Sequence, residues 1–210
     1  MSRSNPKEDR ISALPNPIIC HILFFLPTKT AAITSILSKR WNPLWLSVLV
    51  LYFDDETFQN FVSFRHFVSF VFLLRDITLP LQLFHLKCSN ASIQPQDING
   101  FVHTAAQRGI ESLNLEMLGM VTLPRCIVRC KTLVVLHLKG LKVNNISHGV
   151  LDFPLLKTLH LSSVVFERFE YFIELLSGCP IILELQAEDL SVHNVEWLFI
   201  LEKSVAAKNF

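Results

Sequence analysis

The chain has 210 residues, with 19 lysines and arginines against 18 aspartates and glutamates, for a formal net charge of +1. That balance, with no basic run above scatter, argues against nucleic acid as a partner. Apolar residues make up 50% and charged residues only 18%, below the usual charged share of about 25%; such a composition suits tight repeat stacking or surfaces covered by partners. The five cysteines (Cys20, Cys88, Cys126, Cys130, Cys179) are odd in number and lack a framework spacing. Reduced thiols in the cytoplasm or nucleus are therefore expected rather than disulfides.

Residues 1–10 are polar and charged, with no apolar segment running to a small-residue cleavage site, so no targeting signal is expected. Beyond them, Asn16 is placed to cap a helix that Pro17 opens. Ile18, Ile19, Ile22, Leu23 and Leu26 recur at helical spacing until Pro27 stops the run. A second short helix is expected from about Thr28, carrying Ile33, Ile36 and Leu37. Ser38 is a candidate cap for a third, which presents Trp41 and Trp45 one turn apart. Pro43 would break a long helix at a cost of about 3 kcal/mol, so the third helix should be short or kinked. Three short helices bury little surface by themselves, and an apolar face must be left for the rest of the chain or for a partner.

These residues, from Asp9-Arg10-Ile11-Ser12-Ala13-Leu14-Pro15 through Ser38-Lys39-Arg40-Trp41 to Trp45, closely resemble the F-box. They are most similar to plant F-box proteins in which leucine-rich repeats follow. The resemblance covers roughly residues 8–54 and implies a three-helix motif that docks onto the Skp-type adaptor of an SCF ubiquitin ligase, and through it onto a cullin. By position it assigns Leu14, Pro15, Ile18, Ile19, Ile22, Leu23, Leu26 and Pro27 to the adaptor contact. The chain departs from the pattern at Asn16 and Pro17, where two acidic residues are usual, and at Asn42, where a basic one is common.

Phe61–Leu74 is the greasiest segment, but it contains Arg65 and His66 and is shorter than the roughly 20 residues a membrane span needs. A buried linker helix within residues 55–79 is expected, and no membrane partner. Asn90-Ala91-Ser92 and Asn145-Ile146-Ser147 match glycosylation acceptors by pattern alone.

From residue 81 one pattern returns five times: Leu81-x-x-Phe84-x-Leu86, Ile110-x-x-Leu113-x-Leu115, Leu133-x-x-Leu136-x-Leu138, Leu156-x-x-Leu159-x-Leu161 and Ile182-x-x-Leu185-x-Ala187. The steps between fourth positions are 29, 23, 23 and 26 residues, within the roughly 20–29 of leucine-rich repeats. Leu118, Leu141, Val164 and Leu190 are expected to continue the inward phase. Helical returns are expected at residues 95–108, through Ile98, Phe101, Val102 and Ala105 to Gly109, and through Phe169, Phe172, Ile173 and Leu176 to Gly178. Residues 123–130 and 143–153 should form shorter, irregular returns. After the fifth strand, Trp197 to Leu201 form an apolar run that either folds as a helix over the open edge or leaves that edge partly exposed. The related proteins usually continue into more repeats and a further C-terminal domain, the FBD region, which this sequence does not display.

Between the inward residues of each repeat, one side chain should point outward: His85, Asn114, His137, His160 and Gln186. With parallel strands about 4.8 Å apart, they should form a polar ladder suited to binding a protein substrate. Leu83, Ser112, Val135, Thr158 and Glu184 flank it on one side, and Lys87, Glu116, Lys139, Ser162 and Glu188 on the other. No carboxylate or cysteine joins the histidines at tetrahedral spacing, and the stretch around Cys126 and Cys130 reads as a loop, so no metal is expected. No phosphate loop, nucleophile elbow or His-Glu-x-x-His is present; no catalytic residue and no cofactor is assigned.

The fold expected is therefore α/β: an N-terminal three-helix F-box (8–54), a linker helix (55–79), a short leucine-rich-repeat solenoid with parallel strands (80–192) and a C-terminal tail or partial cap (193–210). The function the resemblance implies is substrate recognition for an SCF-type cullin-RING ubiquitin ligase. The competing readings are a non-degradative adaptor-binding or decoy protein and, more remotely, a metal-dependent hydrolase built on the histidines.

Overall fold

The computed structural model describes residues 11, 13–89, 93–144, 151–193 and 195–204. Both glycosylation patterns and most of the 143–153 return lie outside them.

The chain begins with α1 (Asn16–Phe24), α2 (Thr28–Ile33), which tightens into a 3-10 turn at Thr34–Ile36, and α3 (Trp41–Ser47). Asn16 does not cap α1. The extended Pro15 takes that position, and its carbonyl accepts from Ile18 N–H and Ile19 N–H at 3.0 and 3.2 Å. Asn16 Oδ1 instead accepts from Arg40 Nε at 2.7 Å, while Pro17 sits in the first turn, where its missing N–H leaves no bond unmade. Ser38 also misses the cap position: its hydroxyl accepts from Arg40 N–H, and α3 starts at Trp41. Pro43 falls in the first turn of this seven-residue helix, and Trp41 and Trp45 are both buried.

A parallel sheet follows, of β1 (Val50–Asp54), β2 (Leu83–Cys88), β3 (Ser112–Thr122), β4 (Val135–Val143), β5 (Thr158–Ser162) and β7 (Glu184–Val192). β6 (Val165–Phe166) carries on beyond β5, pairing the far ends of β4 and β7. Two inner rows run through matched register: Leu51, Phe84, Leu113, Leu136, Leu159 and Leu185, then Phe53, Leu86, Leu115, Leu138, Leu161 and Ala187. All are buried except the half-buried Leu185.

The first strand lies inside the 8–54 stretch, so the sheet starts one strand earlier than the five repeats indicate. Its return is α4 (Phe61–Leu74), expected as a linker. Phe64, Val68 and Val71 are buried, and Phe53 on β1 meets Phe67, Phe72 and Phe84 with ring centroids 6.1, 6.4 and 6.0 Å apart. Val62, Phe70 and Leu73 on the same helix stay exposed, so α4 is packed along one side only.

α5 (Pro95–Ala106) buries Ile98, Phe101, Val102 and Ala105, and the chain turns at Gly109 with φ +68°. α6 (Phe169–Ser177) is rotated from the expected phase. Tyr171 and Leu175 face the core, Phe172 and Leu176 lie at its margin, and Phe169 and Ile173 are exposed. Residues 123–130 hold a 3-10 turn at Arg125–Arg129.

Leu118 was expected inward but is 76% exposed. The β3–β4 register shifts between Glu116 and Val121, so Val121 rather than Leu118 pairs with Leu141. Extra residues on one strand bulge outward and rotate Leu118 away from the core. Gly140 faces this bulge at φ +67°, and a Cβ there would meet the Met117 carbonyl oxygen at 1.7 Å. The inward phase does hold at Leu141, Val164 and Leu190. At the C-terminal end, Trp197 to Leu201 lie in a strand, not a helix: β8 (Val195–Ser204) pairs antiparallel with β7, so β7 is not a free edge.

Gly140→Ala should destabilise the chain by about 2 kcal/mol or more, because both the left-handed backbone and the closed space oppose a Cβ. Gly100 on α5 has nothing within 4 Å of a built Cβ, so Gly100→Ala should be neutral or stabilising by up to about 1 kcal/mol. Thermal denaturation of both variants checks the contrast.

Candidate functional site

The outward row follows from the inner ones, since side chains alternate along a strand. Tyr52, His85, Asn114, His137, His160 and Gln186 are register partners across six strands. Matched positions on parallel strands allow flat side chains to stack, and two pairs do. Tyr52 lies on His85 with centroids 4.0 Å apart and planes 13° from parallel; His137 lies on His160 at 4.2 Å and 14°.

The row is not uniformly open. His85, expected to be available to a ligand, is only 6% exposed, because the neighbouring ring of Tyr52 covers it. Its Nε2 lies 3.7 Å from Glu116 Oε1 and has no hydrogen bond. Burial holds the His85 imidazolium below its ordinary pKa, against the pull of the Glu116 and Asp54 carboxylates. His137 is held down by burial first and by His160 second, with Glu184 and Glu116 opposing. Asn114, His137 and His160 are half-exposed and Gln186 is exposed. His160 Nε2 lies 3.2 Å from Glu184 Oε1, which also accepts from Gln186 Nε2 at 3.1 Å.

Charges flank the row. Lys87 Nζ is held by Asp54 Oδ2 at 3.2 Å and by Glu56 Oε2, and these partners raise its pKa. Lys139 Nζ lies 3.7 Å from Glu116 Oε2. A shallow open depression lies over β3, β4, β5 and β7, lined by Asn114, Glu116, His137, His160, Gln186 and Glu188 among others.

The helical module forms a second surface. Of the residues assigned to adaptor contact, Ile18 and Ile22 are exposed, as are Pro15 and Pro27, and Leu14 and Leu26 are half-buried. Ile19 and Leu23, one turn apart on the adjoining, inward side of α1, are 0% and 1% exposed. They brace the surface from within instead of forming it. Phe25, Ile33, Ile36 and Leu37 are exposed at 69, 55, 82 and 66% and enlarge the apolar area.

Among the described residues no group of three histidine, cysteine, aspartate or glutamate side chains is arranged to hold a metal. Burial pushes the Cys130 and Cys179 thiols up to about 11, which keeps them protonated and unreactive near neutral pH. No helix among the described residues is long and apolar enough to cross a membrane.

The member of the outer row not anticipated is Tyr52. Val48-x-x-Leu51-x-Phe53 carries the repeat pattern, and all three side chains are buried. The step of 33 residues from Leu51 to Phe84 exceeds the usual repeat length and hides the relation.

His137→Ala with His160→Ala should change stability by less than about 1 kcal/mol, whereas His85→Ala should cost about 1–2 kcal/mol in lost stacking and burial. Because His85 and His137 have lowered pKa values when folded, the unfolded chain takes up their protons first as pH falls. Their contribution is complete above the unfolded value of about 6.5 and is lost below it. The melting temperature should therefore drop between about pH 7 and pH 5, and by less in a His85→Asn, His137→Asn variant. Melts across that range read both effects.

Residues 11–52 match the F-box domain family, and residues 98–204 match the family described as "FBD-associated F-box protein At5g56370, LRR repeats". The F-box/LRR-repeat protein At3g59200 of Arabidopsis thaliana is 37% identical over 214 residues, covering 96% of this chain and 41% of the relative. F-box/LRR-repeat protein At4g14103 is 37% identical over 87% of this chain and 50% of its own length. The FBD-associated F-box protein At5g56370 is 36% identical over 89% and 45%; both are also from Arabidopsis thaliana. The chain thus spans half or less of these relatives. No solved structure matches. The chain belongs to the F-box/leucine-rich-repeat family.

Proposed function

We propose that this chain is a substrate-recognition subunit of an SCF-type cullin-RING ubiquitin ligase, working in the cytoplasm or nucleus. In this reading the helical module binds a Skp-type adaptor and so a cullin. The strands form a short leucine-rich solenoid whose open face, along Asn114, His137, His160 and Gln186, takes a protein substrate. His85 positions the row from beneath Tyr52. Ubiquitin transfer belongs to other subunits, and this chain supplies proximity only.

The observation that carries the reading is the division of α1. Ile19 and Leu23 are spent on the core, while Ile18, Ile22 and Phe25 remain in solvent together with Ile36 and Leu37. Apolar side chains left exposed in such a cluster are characteristic of a protein-binding surface.

Ile18→Glu with Ile22→Glu would place two charges in that interface without disturbing the core. Co-purification with a Skp-type adaptor should be lost, since each buried unpaired charge costs several kcal/mol, while the melting temperature stays near that of the parent. Undiminished co-purification would overturn the adaptor assignment. Adaptor binding without ubiquitylation of any bound protein, in a reconstituted ligase, would favour a decoy.

A further inference from the structure

We infer that Arg75 and Arg108, at the ends of two successive returns, form a closed site for one compact oxyanion of the phosphate class. Neither residue belongs to the adaptor surface or to the outer row, so the inference is independent of the function proposed above.

Arg75 closes α4, and Arg108 lies two residues past α5, just before the turn at Gly109. The two helices pack against each other, and Arg108 reaches across to α4. Its Nη2 donates to the Phe72 carbonyl at 3.1 Å, and its guanidinium carbon lies 5.5 Å from the Phe72 ring centre. Phe72 is three residues before Arg75, so both cationic groups come to the same helix end. Arg75 is 3% and Arg108 9% exposed. Yet Nε, Nη1 and Nη2 of Arg75 and Nη1 of Arg108 are buried with no hydrogen-bond acceptor. Among the described residues neither arginine has a carboxylate at ion-pair distance. The adjoining Asp76 is exposed and engaged elsewhere: its Oδ1 accepts from Thr78 N–H at 2.9 Å and from Thr78 Oγ1 at 2.8 Å.

An arginine near a surface ordinarily carries its head out to water; Arg75 does not. Burial first, and Arg108 second, push its pKa down only to about 10, so it stays charged near neutral pH. Two like charges thus share a buried setting, where a charge without a counter-charge is costly. The end of α4 gives Arg108 one acceptor and Arg75 none. One oxyanion between the two groups turns their repulsion into attraction. The planar guanidinium fork matches a pair of oxygens on a phosphate-class ion, a match that chloride does not offer. Because all three Arg75 nitrogens are closed to solvent, the occupant is a free ion rather than a phosphate borne on a larger molecule. Entry needs a local opening, and the exposed turn at residues 76–78, directly after Arg75, supplies it.

The test is isothermal titration calorimetry with thermal melts of the full chain, in phosphate-free buffer at constant ionic strength, comparing sodium phosphate with sodium chloride. Phosphate should bind saturably at one site and raise the melting temperature by about 2 °C or more, with sulfate acting alike and chloride not. Arg75→Met should abolish both effects. Without phosphate it should melt no lower than the parent, since it removes a buried charge while keeping the space filled. Arg108→Met should weaken binding at least about tenfold, and it reads the same loss if Arg75→Met does not fold. Arg65→Gln, on the same helix, should leave phosphate binding unchanged. General salt stabilisation grows with concentration without saturating and persists in both methionine variants; that pattern, or no saturable binding by the parent, would overturn the inference. So would saturable binding that survives both methionine substitutions. Tighter binding of O-phosphoserine than of free phosphate would overturn the assignment to a free ion.

Discussion

Leu113 of β3 lies between Phe84 of β2 and Leu136 of β4, and two residues on Leu115 lies between Leu86 and Leu138. Every other feature of the sheet depends on that pairing of inward side chains. A slip of one residue in any strand would carry its apolar pair into solvent and its polar residue into the core, so register is held by the apolar effect itself. Once the inner rows are set, the outer row has no freedom, and the stacking of His137 on His160 is a consequence of it. The returns between strands differ in length and structure. Yet each delivers the next strand to the same register, and the surplus residues of β3 are taken up beyond the matched positions, where Gly140 makes room for the bulge.

The helical module shares this core. Three helices of this size cannot close their own apolar surface, and Ile19, Leu23, Trp41 and Trp45 join the same continuous cluster as the strand leucines. The join is also polar: the buried Thr28 hydroxyl at the start of α2 accepts from Tyr52 N–H at 2.8 Å. Tyr52 in turn stacks on His85. One residue thus links the module to the outer row of the sheet, and the helical surface is held in fixed relation to the strand face.

Where the pattern was carried by many side chains it was legible in the sequence. The five strands, their mutual register and the outer row follow from leucine spacing alone, because each violation would cost several buried residues. What was hidden depended on fewer contacts. Leu118 continued the inward phase by count, but a bulge sustained by one glycine displaced it. The phase of α6 was off by about one residue, since apolar side chains occupy more than half of its circumference and several rotations bury a similar area. The caps expected at Asn16 and Ser38 were pre-empted by the Pro15 carbonyl and by Arg40, contacts that no local pattern reveals. The stretch Trp197 to Leu201 is apolar throughout, which does not distinguish helix from strand; pairing with β7 decides it.

Hydrogen–deuterium exchange of the chain, alone and saturated with a Skp-type adaptor, tests the central claim most directly, that one chain carries two separate docking surfaces on a shared core. The account predicts added protection confined to residues 13–40, with exchange in β4, β5 and β7 unchanged. Protection spread over the outer row of the strands, or none in the helical module, would contradict it.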